Sequence, residues 1–376
     1  MENQIQNLEI QNFKSIKHLQ LDCKRVNIFI GEPNVGKSNI LEALSLLGAG
    51  YETNYEKYLS SFIRYENFNN LFYDKNIKND ILVETDKNST IVKYNPNYNI
   101  FGVFSSKIGE EIEYLKNLDN NADWGNKGNI EFRFNRRDLD KLHFTTEKYE
   151  KYFPTIYSNK INNIISLPKS NLSETPVKKY DFKLLETYDK TYPNFLNPPF
   201  GDNLFAILDS NNEMQEDVAS FFEKYGLKLR FNTEQRKLEI QKDIGNRVYT
   251  YPYSTIADTL QRIIFYLTAI ESNKNSVLLF EEPEAHSFPP YVGMLADRIA
   301  ADEANQYFIA THSPYLLSMI EKVAKEDLNV IITYFENYET KIKVLSNEEV
   351  REMIDYSIDA FYNLERFLDH EPSYES

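Results

Sequence analysis

The chain of 376 residues contains one cysteine, Cys23. That excludes an intramolecular disulfide and any zinc site built from clustered cysteines, and it makes a cytoplasmic location the default expectation. No apolar run approaches the length of a membrane span, so no membrane partner is expected. The opening Met1-Glu2-Asn3-Gln4 is polar and passes into a strand pattern, unlike a signal or transit peptide. Cations are in the minority: 42 Lys and Arg against 57 Asp and Glu give a formal net charge of −15. This balance argues against broad, non-specific binding to nucleic acid or anionic membrane, while leaving room for one local basic groove. Sustained heptads, internal repeats and low-complexity linkers are also missing, so no long coiled-coil arm is expected. What remains, 41% hydrophobic and 26% charged, is the composition of a globular protein.

Three short stretches carry the chemistry. The first begins as an apolar strand ending at Ile30 and continues as Gly31-Glu32-Pro33-Asn34-Val35-Gly36-Lys37-Ser38-Asn39 before an amphipathic helix. The loop reads G-x-x-x-x-G-K-S, in which successive backbone N–H groups and a helix N-terminus hold phosphate oxygens. Lys37 is placed to meet the β- and γ-phosphates and the Ser38 hydroxyl to bind magnesium. Gly31 and Gly36 leave room for phosphate, and Asn34 stands where a left-handed backbone is tolerated. Residues 31–39 are therefore the expected nucleotide-binding set.

The second stretch is Ser276-Val277-Leu278-Leu279-Phe280-Glu281-Glu282-Pro283-Glu284-Ala285-His286. Its near-continuous apolar run is the pattern of a strand buried on both faces, and two carboxylates follow at its carboxyl end, where ligands bind in open α/β sheets. Glu281 is placed to hold magnesium, and Glu282 to orient or deprotonate the attacking water. The third stretch, Phe308-Ile309-Ala310-Thr311-His312-Ser313-Pro314, is another buried strand ending at a histidine. His312 is expected to contact the γ-phosphate or the water.

Between these stretches, Ile5–Phe13 and His18–Leu21 read as a hairpin leading into the strand Arg25–Ile30. Glu213–Tyr225 and Ile256–Ile270 read as helices, Leu227–Phe231 and Lys237–Gln241 as paired strands, and Tyr291–Ala300 as a further helix. Asn329–Phe335 and Lys341–Leu345 form a terminal strand pair, followed by an acidic helical segment from Asn347 to about Asp369. The region from Ile100 to Phe200 is rich in Asn, Asp, Lys and Tyr and broken by prolines; it reads as an inserted α+β lobe. The basic clusters Arg133-Phe134-Asn135-Arg136-Arg137 and Lys178-Lys179-Tyr180 read as ordinary surface. Asp355 and Asp359, one helical turn apart, read as a solvated face.

A P-loop, a late "EEPEAH" and a "THSPYLL" in this order resemble an ABC-type ATPase head of the SMC-like, OLD-related class. The resemblance covers about the first fifty residues and Tyr253 to about Phe335. It implies that the three stretches are the Walker A motif, the Walker B motif and the H-loop. It also implies that Lys14 and Ser15, in the opening hairpin, lie near nucleotide. The class's signature motif, resembling Leu-Ser-Ser-Gly-Thr-Gln-Arg, is matched here by Ile256-Ala257-Asp258-Thr259-Leu260-Gln261-Arg262. Ala257 replaces the serine and Thr259 the glycine, which implies a weak contact to a partner's γ-phosphate and slow turnover. The OLD nucleases add a TOPRIM domain, for which too few residues follow His312.

The expectation is thus an α/β P-loop NTPase, an ABC-type head with a mixed sheet and flanking helices. Residues 1–100 and 201–346 are its two parts, 101–200 the inserted lobe, and 347–376 an acidic helical segment. The expected activity is magnesium-dependent ATP hydrolysis by Lys37, Glu282 and His312, with Ser38 and Glu281 on the metal. The resemblance implies a homodimer or larger homo-oligomer, set in anti-phage defence or genome maintenance with a separate effector chain. An ATP-gated scaffold and a RecF-like DNA-binding ATPase are the alternatives.

Overall fold

The computed structural model describes residues 2–48, 59–97, 100–107, 113, 116, 117, 120, 157–159, 164–166, 176–188, 194–356 and 364–368. The chain opens with β1 (Asn7–Phe13), β2 (Ile16–Asp22) and β3 (Val26–Ile30), then helix α1 (Lys37–Leu46). Strands β4 (Ile81–Thr85), β5 (Asn88–Asn95), β6 (Ile100–Lys107), β7 (Tyr157–Asn159), β8 (Ile164–Ser166) and β9 (Val177–Tyr180) follow. Next come α2 (Leu204–Asp209), α3 (Asn212–Glu223), β10 (Lys228–Asn232), β11 (Lys237–Ile244) and β12 (Arg247–Pro252). The last third alternates: α4 (Asp258–Ser272), β13 (Val277–Glu281), α5 (Pro289–Ala301), β14 (Gln306–Ala310), α6 (Pro314–Ala324), β15 (Leu328–Glu336), β16 (Glu339–Val344) and α7 (Asn347–Tyr356).

The central sheet has the order β16-β15-β3-β14-β13-β9. Five strands run parallel, and only β16 is antiparallel, joined to β15 by a hairpin. Strands β3 and β14 are buried throughout, because a parallel strand covered on both faces needs apolar side chains on both. Alternate residues divide between two cores. Ile28, Ile30, Leu278, Phe280, Tyr307 and Ile309 pack with residues of α4, α5 and α6. Phe29, Leu279, Phe308 and Ala310 pack with residues of α1, β1, β2, β4 and β5. The second core is closed by a seven-stranded sheet, β2-β1-β4-β5-β6-β8-β7, antiparallel except for the β6–β8 pair. A third sheet, β10-β11-β12, stands apart.

Sheet membership cuts across the divisions that composition draws at residues 100 and 200. Strand β6 pairs along its length with β5, so the lobe shares a sheet with the opening strands. Strand β9 belongs to the central sheet, paired with β13. The cluster Lys178–Lys179 is likewise not surface: both lysines are buried, Lys178 donating to Asn273 Oδ1 at 2.7 Å and Ser276 Oγ at 2.8 Å. The cluster at 133–137 lies outside the described residues, as does Asp359; Asp355 is exposed on α7. The acidic helix is described over Asn347–Tyr356, and a short 3-10 turn spans Leu364–Phe367. Among the described residues no helix is long and apolar enough to cross a membrane.

Candidate nucleotide site

Strand β3 ends at Ile30 in the middle of the parallel sheet, and the loop 31–36 turns the chain into α1. Three backbone positions there have positive φ, 156° at Gly31, 65° at Asn34 and 104° at Gly36, the N-cap of α1. The need for glycine arises partly from the loop's far side. A Cβ on Gly31 would stand 2.2 Å from the Thr333 carbonyl oxygen, and one on Gly36 would stand 2.1 Å from Thr340 Oγ1. The β15–β16 hairpin therefore presses on the loop from behind, a constraint beyond room for phosphate. Glu32, Pro33 and Asn34 form the exposed crest, while Val35 is buried. The Lys37 ammonium donates to the carbonyls of Gly31 at 2.9 Å and Glu32 at 2.8 Å, folded along the loop it would serve. Burial pushes it down to about 8 against the attraction of Glu282, Glu281 and Glu32.

The two magnesium candidates meet directly: Ser38 Oγ, on α1, donates to Glu281 Oε1 at the end of β13. Serine hydroxyl and carboxylate form a hard oxygen pair of the kind magnesium takes beside substrate phosphates, so the donor set fits that ion. Three residues that motif reading passed over complete this corner. Arg64 Nη2 lies 3.2 Å from Glu281 Oε1, and its Nε donates to Glu42 Oε1 at 2.7 Å. Glu42, fully buried on α1, also pairs with Lys14. Lys179, on β9, lies 3.5 Å from Glu281 Oε2 and donates to the Phe62 carbonyl at 2.9 Å. Burial pushes the Glu281 carboxyl up, but Lys179, Ser38 and Arg64 together hold it below its ordinary value.

Lys14 and Ser15 separate. Ser15 Oγ is 2.7 Å from Thr340 Oγ1 and accepts from Asn39 Nδ2 at 2.7 Å, which keeps it beside the start of α1. The Lys14 side chain is turned to Glu42 and to the Arg64 carbonyl at 2.7 Å, so it supports the site through those partners.

Glu282 follows with φ of 44°, a left-handed conformation unusual for glutamate, and its N–H donates to the Ala310 carbonyl at 2.8 Å. That turn lifts its side chain off the strand. Its Oε1 lies 3.6 Å from His312 Nε2, with half of the glutamate side chain open to solvent. Burial, and then Lys37, hold the imidazole below its ordinary value despite Glu282. Glu284 was inside a recognised motif yet given no role. Its Oε1 accepts from Thr311 Oγ1, its Oε2 is buried without a hydrogen-bond partner, and burial raises its pKa. It ties the loop after β13 to the loop after β14.

The signature-like end is less complete. Ala257 caps α4 with no side-chain acceptor, and the Thr259 hydroxyl donates to the His286 carbonyl at 2.7 Å. Asp258 Oδ2 lies 3.4 Å from Arg262 Nε. Neither hydroxyl nor carboxylate at this helix start is free of an internal contact.

Residues 26–318 match the family model described as "AAA domain, putative AbiEii toxin, Type IV TA system". An "ATP/GTP phosphatase" of Helicobacter pylori (strain ATCC 700392 / 26695) is 23% identical over 359 residues, covering 86% of this chain and 89% of that protein. A DNA replication and repair protein RecF of Clostridium novyi (strain NT) is 26% identical over 265 residues, covering 64% of this chain and 65% of that one. Among solved structures, an SMC head bound to the C-winged helix domain of ScpA aligns with 93% of this chain and 99% of its own, at 15% identity and a TM-score of 0.48.

Proposed function

The chain belongs to that AAA-domain family and is a P-loop ATPase, and from this premise we propose that it is of the SMC- and RecF-like class and works as a magnesium-dependent, nucleotide-gated switch. In this reading residues 31–39 bind ATP, with Lys37 on the β- and γ-phosphates. Ser38 and Glu281 hold magnesium, which when bound neutralises phosphate charge and aligns the γ-phosphoryl group. Glu282 accepts the proton of the attacking water, and the neutral imidazole of His312 holds that water or the γ-phosphate. Arg64 and Lys179 position Glu281. The observation that carries the reading is the Ser38–Glu281 hydrogen bond, which joins the two motifs across α1 and β13.

Two copies closing over nucleotide would bring the start of α4 of one against the phosphates of the other. With Ala257 lacking a hydroxyl and Thr259 committed to His286, that contact is weak and turnover slow. The same observation favours a second reading, an ATP-gated scaffold with little hydrolysis. The family description and the RecF relative support a setting in bacterial defence or genome maintenance, and we propose that the effector there is a separate chain. In that setting residues 1–100 and 201–346 together with β9 act as the head, the rest of 101–200 as the lobe and 347–376 as an accessory segment, all within the cytoplasm.

Glu282→Gln tests the reading. Hydrolysis should fall roughly a hundredfold or more while ATP binding survives, since Gln keeps the shape but cannot take the proton. The variant should then accumulate an ATP-dependent assembly on size exclusion with light scattering. Glu281→Gln should instead weaken magnesium-dependent binding. Normal hydrolysis by Glu282→Gln would remove it as the base; an inactive variant with no change of assembly would remove the gating.

A further inference from the structure

Between β9 and α4 the chain leaves the central sheet and builds α2, α3 and the β10-β11-β12 sheet. Cross-strand partners share a face of such a sheet. Near the body that face is core: Leu229, Leu238 and Ile240 are buried. Farther out it continues without cover. Ile240 stands opposite Tyr251, Lys242 opposite Tyr249, and Ile244 opposite Arg247. All residues from 242 to 252 are exposed.

This face borders a cleft of about 600 Å³ floored by the start of α4. Tyr251, Lys242, Tyr225 and Phe288 line it, and no carboxylate among the described residues does. Tyr225 and Phe288 are 56% and 61% exposed, unusual for residues that ordinarily bury their rings. The Lys224 ammonium lies 5.0 Å from the Tyr225 ring centroid and 4.6 Å from that of Tyr291. By the strand register Lys242 and Arg247 stand on this face, whereas Lys228, Arg230, Lys237, Glu239 and Asp243 fall on the opposite one.

We propose that this face is a binding platform for single-stranded nucleic acid. Alternating rings and cations on one exposed sheet face match a strand that offers flat base faces and phosphates at regular intervals. A duplex hides the base faces, and an acidic peptide has no flat rings for Tyr225, Tyr249, Tyr251 and Phe288. The floor is the start of α4, the end that closure of two copies sets against a partner's phosphates, so a bound strand and the closed assembly compete for it; Thr259, which lines the cleft, also holds the His286 carbonyl in the loop that follows Glu282.

The test is fluorescence anisotropy on the full chain with three labelled probes: an oligothymidylate, a duplex of equal length, and polyglutamate. The oligothymidylate should bind tightest. Tyr249→Ala with Tyr251→Ala should weaken it at least tenfold, while Tyr249→Phe with Tyr251→Phe, which keeps rings and fold, should bind as the wild type does. Lys242→Gln with Arg247→Gln should reduce the slope of log affinity against log salt by about 1.4, two single-strand phosphate contacts. No oligothymidylate binding, stronger binding of duplex or polyglutamate, loss of binding in the phenylalanine pair, or indifference to the alanine pair would each overturn the proposal.

Discussion

Strands β14 and β12 are opposite in fate. Both are short and tyrosine-containing, yet every residue of β14 is buried and every residue of β12 is exposed. Strand β14 has a neighbour on each side and a packed layer on each face. Among the described residues strand β12 has one neighbour and forms an edge, ended by Arg247 and Pro252, residues that discourage further strand pairing. Burial makes β14 a rigid mount, so the residues beyond its carboxyl end, Thr311 and His312, stand at fixed distances from Glu284 and Glu282. Exposure leaves β12 to contribute surface chemistry and little stability. Fixed geometry serves bond breaking; exposed rings and cations serve recognition of something from outside.

The sharpest way to break the comparison is to truncate a ring in each strand. Phe308, fully buried in β14 and stacked on Phe29 with centroids 6.4 Å apart, should cost about 3–5 kcal/mol as Phe308→Ala in urea denaturation. A loss under about 1 kcal/mol would mean that β14 is not the rigid mount. Of intermediate size is an effect confined to the buried end of the molecule. Lys37 in the free protein loses its proton near pH 8, whereas bound phosphate favours the ammonium, so ATP binding takes up a proton above that pH. Affinity should therefore be level below pH 7 and about tenfold weaker at pH 9, measured by calorimetry. A flat profile would show that the lysine stays charged throughout. The smallest effect belongs to the exposed strand: Tyr249→Ala should leave the unfolding midpoint within about 0.5 kcal/mol of the wild type. A larger loss would place β12 among the core elements.

The strand-loop-helix around Lys37, the Glu281–Glu282 pair and His312 were legible because each is a contiguous run whose chemistry follows from local pattern. Arg64, Glu42 and Lys179 were not. Their roles arise from tertiary pairing: β9 lies beside β13, which brings Lys179 to Glu281, and no sequence period announces a lysine buried in a strand. Glu284 sat in plain view, but its link to Thr311 appears only when β13 and β14 are neighbours. The fold class followed from buried-strand runs alternating with amphipathic helices. The lobe boundaries did not, because composition marks surface character and not sheet membership. Strand β12 was missed because its exposed Arg-Val-Tyr-Thr-Tyr-Pro lacks the polar alternation of a half-buried strand.

The position of β3 has a consequence for biosynthesis. Residues Val26–Ile30 pair on one side with β14 and on the other with β15, strands that begin at Gln306 and Leu328. A ribosome emits the phosphate-binding loop first and its flanking strands roughly 300 residues later, about 15–60 s at usual elongation rates of roughly 5–20 residues per second. Until then β3 has no parallel neighbours, and Thr333 and Thr340 are not yet behind the loop. A nascent chain thus carries the loop sequence without the walls that shape it, and nucleotide capture waits until β14, β15 and β16 have been made.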